Sequence, residues 1–365
     1  MIGLALSGGG SRAIAFHLGC LRALSDTGVL DQVGVLSTIS GGSVIGAYYA
    51  YTPELSFDEF EKRVRAILRS GFQRRIVLEL LKPWNLVPWL AGSLLGWLVR
   101  LITREGEGGF LRYPTTTDML RRVLQRSLFG ELSLHSDRRR GMEIVVGACE
   151  LRTGTAFRFG SQRSGDWRHG EVVSPSIPVA LAVAASAAYP LFLPALNMSW
   201  RFRRNGEESV CRVILTDGGV YDNLGIQVLE PGRDPSVSLH AFPCDYLIVC
   251  HAGHGQESGN ALPTRFLARI RSSFDVNHRR VQDSAMHRLH QLKETGLLKG
   301  FALPYLGQQD DRLPWAPSCL VPREDVVDYP TDFAAMSEAW IDKLSNRGEQ
   351  LTRILVSVYL ADLLS

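Results

Sequence analysis

Two glycine-rich turns, each set between an apolar run and a helix-like pattern, constrain this chain more than any other feature. Residues 2–6 (Ile-Gly-Leu-Ala-Leu) lead into Ser7-Gly8-Gly9-Gly10-Ser11-Arg12, and residues 33–39 lead into Ser40-Gly41-Gly42. After the first turn Ile14, Leu18 and Leu21 fall at i, i+4 and i+7 on one helix face, with Gly28 as a stop. After the second, residues 43–51 read as a helix of small residues. Residues 143–148, 213–216 and 246–250 read as further buried strands, and residues 176–188 as an alanine-rich helix opened by Pro178. Strands alternating with helices predict an α/β fold with a parallel sheet covered on both faces. Ligands of such sheets bind at the carboxyl ends of the strands. Both turns fall there, as does a third, Asp217-Gly218-Gly219.

Residue chemistry at these turns fits acyl-ester hydrolysis, which needs a nucleophile, a base and donors for an oxyanion. Ser40 is the candidate nucleophile: a strand–Ser–Gly–Gly–helix turn projects the hydroxyl, and the helix N-terminus favours developing negative charge. The tripeptide alone reads equally as a helix N-cap. Gly8, Gly9 and Gly10, with Arg12, form the candidate oxyanion loop, because consecutive N–H groups converge there without Cβ obstruction. A generic phosphate cradle is the rival reading, although the P-loop pattern fails, since no Gly-Lys-Ser/Thr follows, and the dinucleotide spacing also fails. Arg12 either holds the loop, counters a phosphate head group, or is a first-turn surface residue. Asp217 is the candidate base, with the ordinary turn aspartate as the alternative. Its free pKa of about 3.9 makes a weak base, which burial beside Ser40 would strengthen. Gly41, Gly42, Gly218 and Gly219 let the chain leave both residues sharply.

Taken together and in order, the motifs resemble the patatin-like phospholipases, which carry Gly-Gly-Gly-x-Arg-Gly, then Gly-x-Ser-x-Gly, then Asp-Gly-Gly/Ala. Here these are Gly8-Gly9-Gly10-Ser11-Arg12-Ala13, Thr38-Ile39-Ser40-Gly41-Gly42 and Asp217-Gly218-Gly219. Glu150-Leu151-Arg152-Thr153-Gly154 with Phe157 and Phe159, Ala184-Ala185-Ser186-Ala187-Ala188-Tyr189-Pro190, and Val220-Tyr221-Asp222-Asn223-Leu224-Gly225 extend the likeness. It runs from residue 1 to about residue 255. The resemblance implies a three-layer α/β/α fold with a mainly parallel central sheet, to which this chain adds C-terminal helices. It also implies a Ser40–Asp217 dyad that needs neither a catalytic histidine nor a metal or other cofactor. A Ser-His-Asp triad through His251 is the competing arrangement. Thr38 departs from the family glycine and is expected to crowd the strand–helix contact; Ala13 is a minor change. A catalytically weak or inactive lipid-binding or regulatory module is the alternative function, with Thr38 marking the loss.

A single domain spanning residues 1–365 is expected, with a core over 1–255, an inserted segment over 72–142 and a helical extension over 256–365. With 45% hydrophobic and 21% charged residues, the chain has ample material for one large core. The six cysteines include no Cys-x-x-Cys pair and read as buried reduced thiols. Met1 runs directly into the first strand with no basic n-region or cleavage site, so a cytoplasmic protein, peripheral at a membrane, is expected. Residues 83–99 carry no charge and include Trp84, Trp89 and Trp97. They read as an interfacial helix or a lid, being too short and too interrupted by proline for a span. Nine arginines and no lysine lie between Arg100 and Arg140, a solvated face or a patch for anionic lipid. No nucleic-acid motif accompanies them, so the expected partners are a phospholipid or other acyl-ester lipid and a membrane surface. Residues 264–292 read as a basic amphipathic helix with Phe266, Ile270 and Phe274 at four-residue steps.

Overall fold

The computed structural model describes residues 1–91, 114–174, 176–190, 193–255 and 263–364, apart from the side chains of Leu267 and Arg271. Its centre is a ten-stranded sheet. Strands β1 (Ile2–Leu6), β2 (Val33–Ile39) and β3 (Glu143–Glu150) come from the first half of the chain. They are followed by β4 (Thr155–Gly160), β5 (Ser164–Asp166), β6 (Gly170–Val172), β7 (Leu196–Arg204), β8 (Glu207–Asp217), β9 (Tyr246–Cys250) and β10 (Gly300–Ala302). The order β10-β9-β1-β2-β3 is parallel throughout, as the alternation of elements predicts. From β3 onward the pairings are antiparallel and run through β4, β5, β6, β7 and β8 back to β3. This antiparallel circuit is absent from the sequence reading, which saw β8 only as residues 213–216 and missed β4 to β7 as strands of a meander.

Strand alternation divides the buried side chains between two faces. Leu4, Leu6, Leu36, Ile144, Val146 and Ile248 belong to one apolar cluster, while Ala5, Val35, Val145, Leu247 and Val249 belong to the other. The first face is covered by α1 (Gly10–Asp26), α2 (Gly41–Ala50), α3 (Phe57–Ser70), α4 (Gln73–Leu80), α5 (Thr116–Leu124), α6 (Val179–Ser186) and α9 (Glu338–Tyr359). The second is covered by residues 224–229 and by the C-terminal end of α8 (Phe266–Glu294), through Leu289 and Leu292. A single-turn helix α7 (Gly219–Asp222) follows β8. The result is the expected α/β/α layering.

The region after residue 255 is more than a helical extension. It supplies β10 to the sheet edge, and α9 lies along α1 so closely that their backbones touch. A Cβ at Gly19 would strike the Ser345 carbonyl, and one at Gly348 would strike that of Phe16. The amphipathic helix expected over 264–292 forms, but its apolar face is turned differently: Phe266 is 67% and Ile270 51% exposed, while the anchor lies at the other end.

Within the inserted segment expected over 72–142, residues 73–80, 83–91 and 116–129 are helical, whereas 130–138 form turns with one isolated bridge from Ser133 to Pro178. Residues 92–113, which include Trp97 and the arginines at 100, 104 and 112, lie outside the described residues. Of the six remaining arginines of the cluster, five are engaged by groups of the protein. Arg122 donates to Asn85, Arg126 to Glu79 and Arg138 to the Met142 carbonyl, and Arg140 pairs with Asp31. Arg139 donates to the carbonyls of Tyr49, Thr52 and Leu55 and lies over the Tyr49 ring. Each of the five thus has a partner within the protein, while Arg126 and Arg140 remain more than half exposed.

Candidate active site

Strand β3 brings the two polar turns together. Along one of its edges β2 runs parallel and ends with Ile39 opposite Gly147. On the same edge β8 approaches antiparallel and ends with Asp217 opposite Ala148. The two strands therefore meet tip to tip, and the residue following β2 is Ser40. Residues 177 positions apart in sequence become neighbours through one register.

Ser40 sits at the turn into α2 with φ 51° and ψ −118°, one of three non-glycine residues with positive φ among the described residues. A serine pays steric energy for that conformation, of order 1–3 kcal/mol, and surrounding contacts must hold it. Gly41 and Gly42 make those contacts possible. A Cβ at Gly41 would strike Gly10, and one at Gly42 would strike the carbonyls of Leu6 and Ser7. The first turn of α2 is thus pressed onto the glycine loop. Ser186 supplies the other restraint: its Oγ accepts the Ser40 N–H at 2.9 Å and lies 2.9 Å from the Ser43 hydroxyl.

The carboxyl end of α6 also positions Asp217. The Asp217 N–H donates to the Ala188 carbonyl at 3.0 Å, and the Gly218 N–H to the Ser186 carbonyl at 3.2 Å. One helix end, the Ala-Ser-x-x-x-Pro stretch, therefore holds both halves of the site. The Asp217 side chain is buried. Its Oδ1 accepts the Gly219 N–H at 2.7 Å, and its Oδ2 has no hydrogen-bond partner among the described residues. Burial pushes the carboxyl up to about 6, opposed by the nearby Ser40 hydroxyl and the Gly219 N–H. Ser40 and Asp217 approach each other without reaching full hydrogen-bond geometry.

The glycine loop lies beside Ser40, whose Cβ is 3.2 Å from where a Gly8 Cβ would stand. The Gly8 N–H is already taken by the Asn223 carbonyl at 3.2 Å, so Gly8 is not a free oxyanion donor. Gly9 (φ 144°) and Gly10 (φ 60°) carry N–H groups with no partner among the described residues. Arg12 does not face an oxyanion. Its Nε donates to the Ala252 carbonyl and its Nη1 to the Tyr329 carbonyl, each at 2.9 Å, and Nη1 also meets His254 at 2.8 Å. Burial lowers the guanidinium pKa to about 9. Of the readings open in the sequence, Arg12 takes that of loop holder.

His251 is no partner of the pair. Its ring stacks on Tyr305 at 4.5 Å, it makes no hydrogen bond to Ser40 or Asp217, and burial lowers its pKa to about 3. Thr38 is accommodated: its Cγ2 occupies the space a Cβ at Gly46 would need, 2.6 Å away, and its hydroxyl donates to the Val145 carbonyl at 3.4 Å. The expected crowding is relieved by a glycine two turns into α2. Helix α8 covers the far side. Its His278 lies against the Gly219 backbone, and its Phe274 meets Tyr189 edge-on at 6.2 Å.

Sequence reading missed four contributors. Ser186 stood in a quoted motif with no role. Asn223 binds Gly8 and would leave no room for a Cβ at Gly219. Asp332 and Ala334 accept the Ser11 N–H (2.7 Å) and hydroxyl (3.3 Å), so the C-terminal region fixes the start of α1. No local pattern marks a backbone acceptor 321 residues away.

Polar turns gathered at the carboxyl ends of parallel strands, around a strained serine and a buried carboxylate, define the class of α/β proteins that carry chemistry at that rim. The chain belongs to the patatin-like phospholipase family, whose model matches residues 4–229. In fold it is similar to human GIVD cytosolic phospholipase A2, with a TM-score of 0.58, 14% identity, and coverage of 100% of this chain and 60% of that one. The same human enzyme in complex with methyl gamma-linolenyl fluorophosphonate and terbium chloride gives 0.55, 16%, 100% and 59%. This chain thus spans about 60% of the length of those solved structures. No curated protein sequence matches it.

Proposed function

We propose that this chain is a lipid acyl hydrolase of the phospholipase A or lysophospholipase type, working through Ser40 and Asp217. Family membership supports a lipid-hydrolysing enzyme in general. The observation that carries the finer reading is the tip-to-tip meeting of β2 and β8 on β3, with Ser40 held at positive φ beside a carboxyl whose pKa is raised to about 6. In this scheme the Ser40 hydroxyl attacks the ester carbonyl while Asp217 takes its proton. The Gly9 and Gly10 N–H groups, at the positive end of α1, receive the oxyanion. The leaving alcohol takes the proton from Asp217, and a water activated by the same carboxylate then hydrolyses the acyl-Ser40 ester. A carboxyl titrating near 6 suits a base at neutral pH better than one near 4.

Substrate is proposed to come from a membrane surface. Leu81, Trp84 and Val87 are each more than half exposed, and with Val77, Leu78 and Leu90 they form one apolar stretch. None of the helices among the described residues is long and apolar enough to cross a membrane, so the contact would be peripheral.

The test is fatty-acid release from mixed phospholipid vesicles by wild type, Ser40→Ala and Asp217→Asn, with circular dichroism reporting folding. A fluorophosphonate of the kind bound to the human relative serves as a covalent probe. Release and labelling by wild type, with a loss of at least a hundredfold in both variants, support the dyad. A folded wild type that neither releases fatty acid nor labels favours the lipid-binding module.

A further inference from the structure

Three side chains outside the dyad converge in the interior. His17 and Cys20 lie at i and i+3 on one face of α1, and Cys250 closes β9, paired with Leu6 of β1. All three are fully buried, and their donor atoms lie within 4.8 Å of one another. Acyl transfer as described above uses none of them.

The surroundings of His17 favour a ligand. Its Nε2 is 2.9 Å from the Ser7 carbonyl, which fixes the proton on Nε2 as donor. That leaves Nδ1 as a bare lone pair, fully buried and without a hydrogen-bond partner among the described residues. A buried nitrogen of this kind is destabilising if nothing meets it. Metal-bound imidazoles characteristically donate their second nitrogen to a carbonyl in the same way.

We propose that His17 Nδ1, Cys20 Sγ and Cys250 Sγ form a buried three-donor site for a thiophilic d10 cation, with Zn2+, its fourth position left open, the best match. Zinc bonds of about 2.3 Å to sulfur and about 2.0 Å to nitrogen hold donors within roughly 4 Å of each other, so little closure is needed. Loading releases one proton from each thiol, and Zn2+ with two thiolates is neutral, the charge state a dry interior tolerates. The site would brace the glycine loop, because both of its walls hold Ser7. His17 donates to the Ser7 carbonyl, and the Ser7 N–H donates to the Cys250 carbonyl at 3.1 Å.

The experiment is elemental analysis of the chain expressed in zinc-supplemented medium and purified under reductant, then refolded with Co2+ as a spectroscopic stand-in. One equivalent of zinc per chain, and a thiolate-to-cobalt charge-transfer band displaced by Zn2+, are expected. Cys20→Ser and Cys250→Ser should lose at least tenfold in affinity, while Cys319→Ser, which alters an exposed thiol, should not. Should both buried variants misfold, the charge-transfer band of wild type decides alone. A metal-free wild type with six titratable thiols overturns the site, and so does a Cys20–Cys250 disulfide found by mass spectrometry. Copper(I) bound in preference to zinc would keep the site and correct its metal.

Discussion

Asp217 titrates near 6 in the folded protein and near 3.8 when free, because its charged form has lost water and gained only partial compensation. The sign of the linkage follows. Between about pH 4 and pH 6 the native state binds the proton that the unfolded chain has released, so stability from this group is full below pH 4 and lost as pH rises through 6. Asp217→Asn should therefore be more stable than wild type above pH 6, by about 3 kcal/mol, with the difference vanishing below pH 4. Urea unfolding midpoints across pH 3.5–8 check this, and parallel curves for the two proteins would refute it. The same titration predicts an activity limb that rises with pH through about 6. Ser186 makes a separate residue-scale case. Ser186→Ala leaves the buried Ser40 N–H without its acceptor and should cost about 1–3 kcal/mol, read as a lower melting temperature, together with a fall in kcat.

At the scale of elements, the contact of β2 with α2 shows how a departure from a family motif is absorbed. Thr38 is legible in the sequence as a bulky residue in a close contact, but Gly46 is only one of 35 glycines until the helix is docked. Restoring a methyl group there should be felt. Gly46→Ala is expected to destabilise by about 1–3 kcal/mol through overpacking, with a large part recovered in Gly46→Ala combined with Thr38→Ser. A thermodynamic cycle of the four proteins measures the coupling, and purely additive effects would show that the two residues do not share the space. The juxtaposition of Ser40 and Asp217 is likewise a property of elements: β2 and β8 are each readable as apolar runs, whereas their meeting depends on the register of β3 with both.

Across the whole molecule, the C-terminal third completes the rim of the site. Tyr329, Asp332 and Ala334 hold Arg12 and Ser11, and α9 buries α1 along its length through Gly19 and Gly348. A chain ending at residue 255 retains the motifs and the residues matched by the family model, yet exposes α1, which in the whole chain is buried nearly all round. Such a truncation is expected to be insoluble or molten, with activity below one hundredth of wild type; near-UV circular dichroism and fatty-acid release decide it. Full activity in that fragment would mean that the motif-bearing region stands alone.

Local pattern sufficed for the parallel half of the sheet and for the helices after each glycine turn, and it singled out Ser40, Asp217 and the glycine loop, which the fold places side by side. Each depends on forces acting within a few residues: apolar periodicity, glycine at a sharp turn, a polar residue at a strand end. The antiparallel circuit, the release of Gly8 and Arg12 from the oxyanion role, and the bracing by Ser186, Asn223 and Asp332 depend on which backbone groups meet across long separations. So does the convergence of His17, Cys20 and Cys250. Buried N–H and C=O groups must find partners wherever the packed chain offers them, and only the completed packing determines where those partners are.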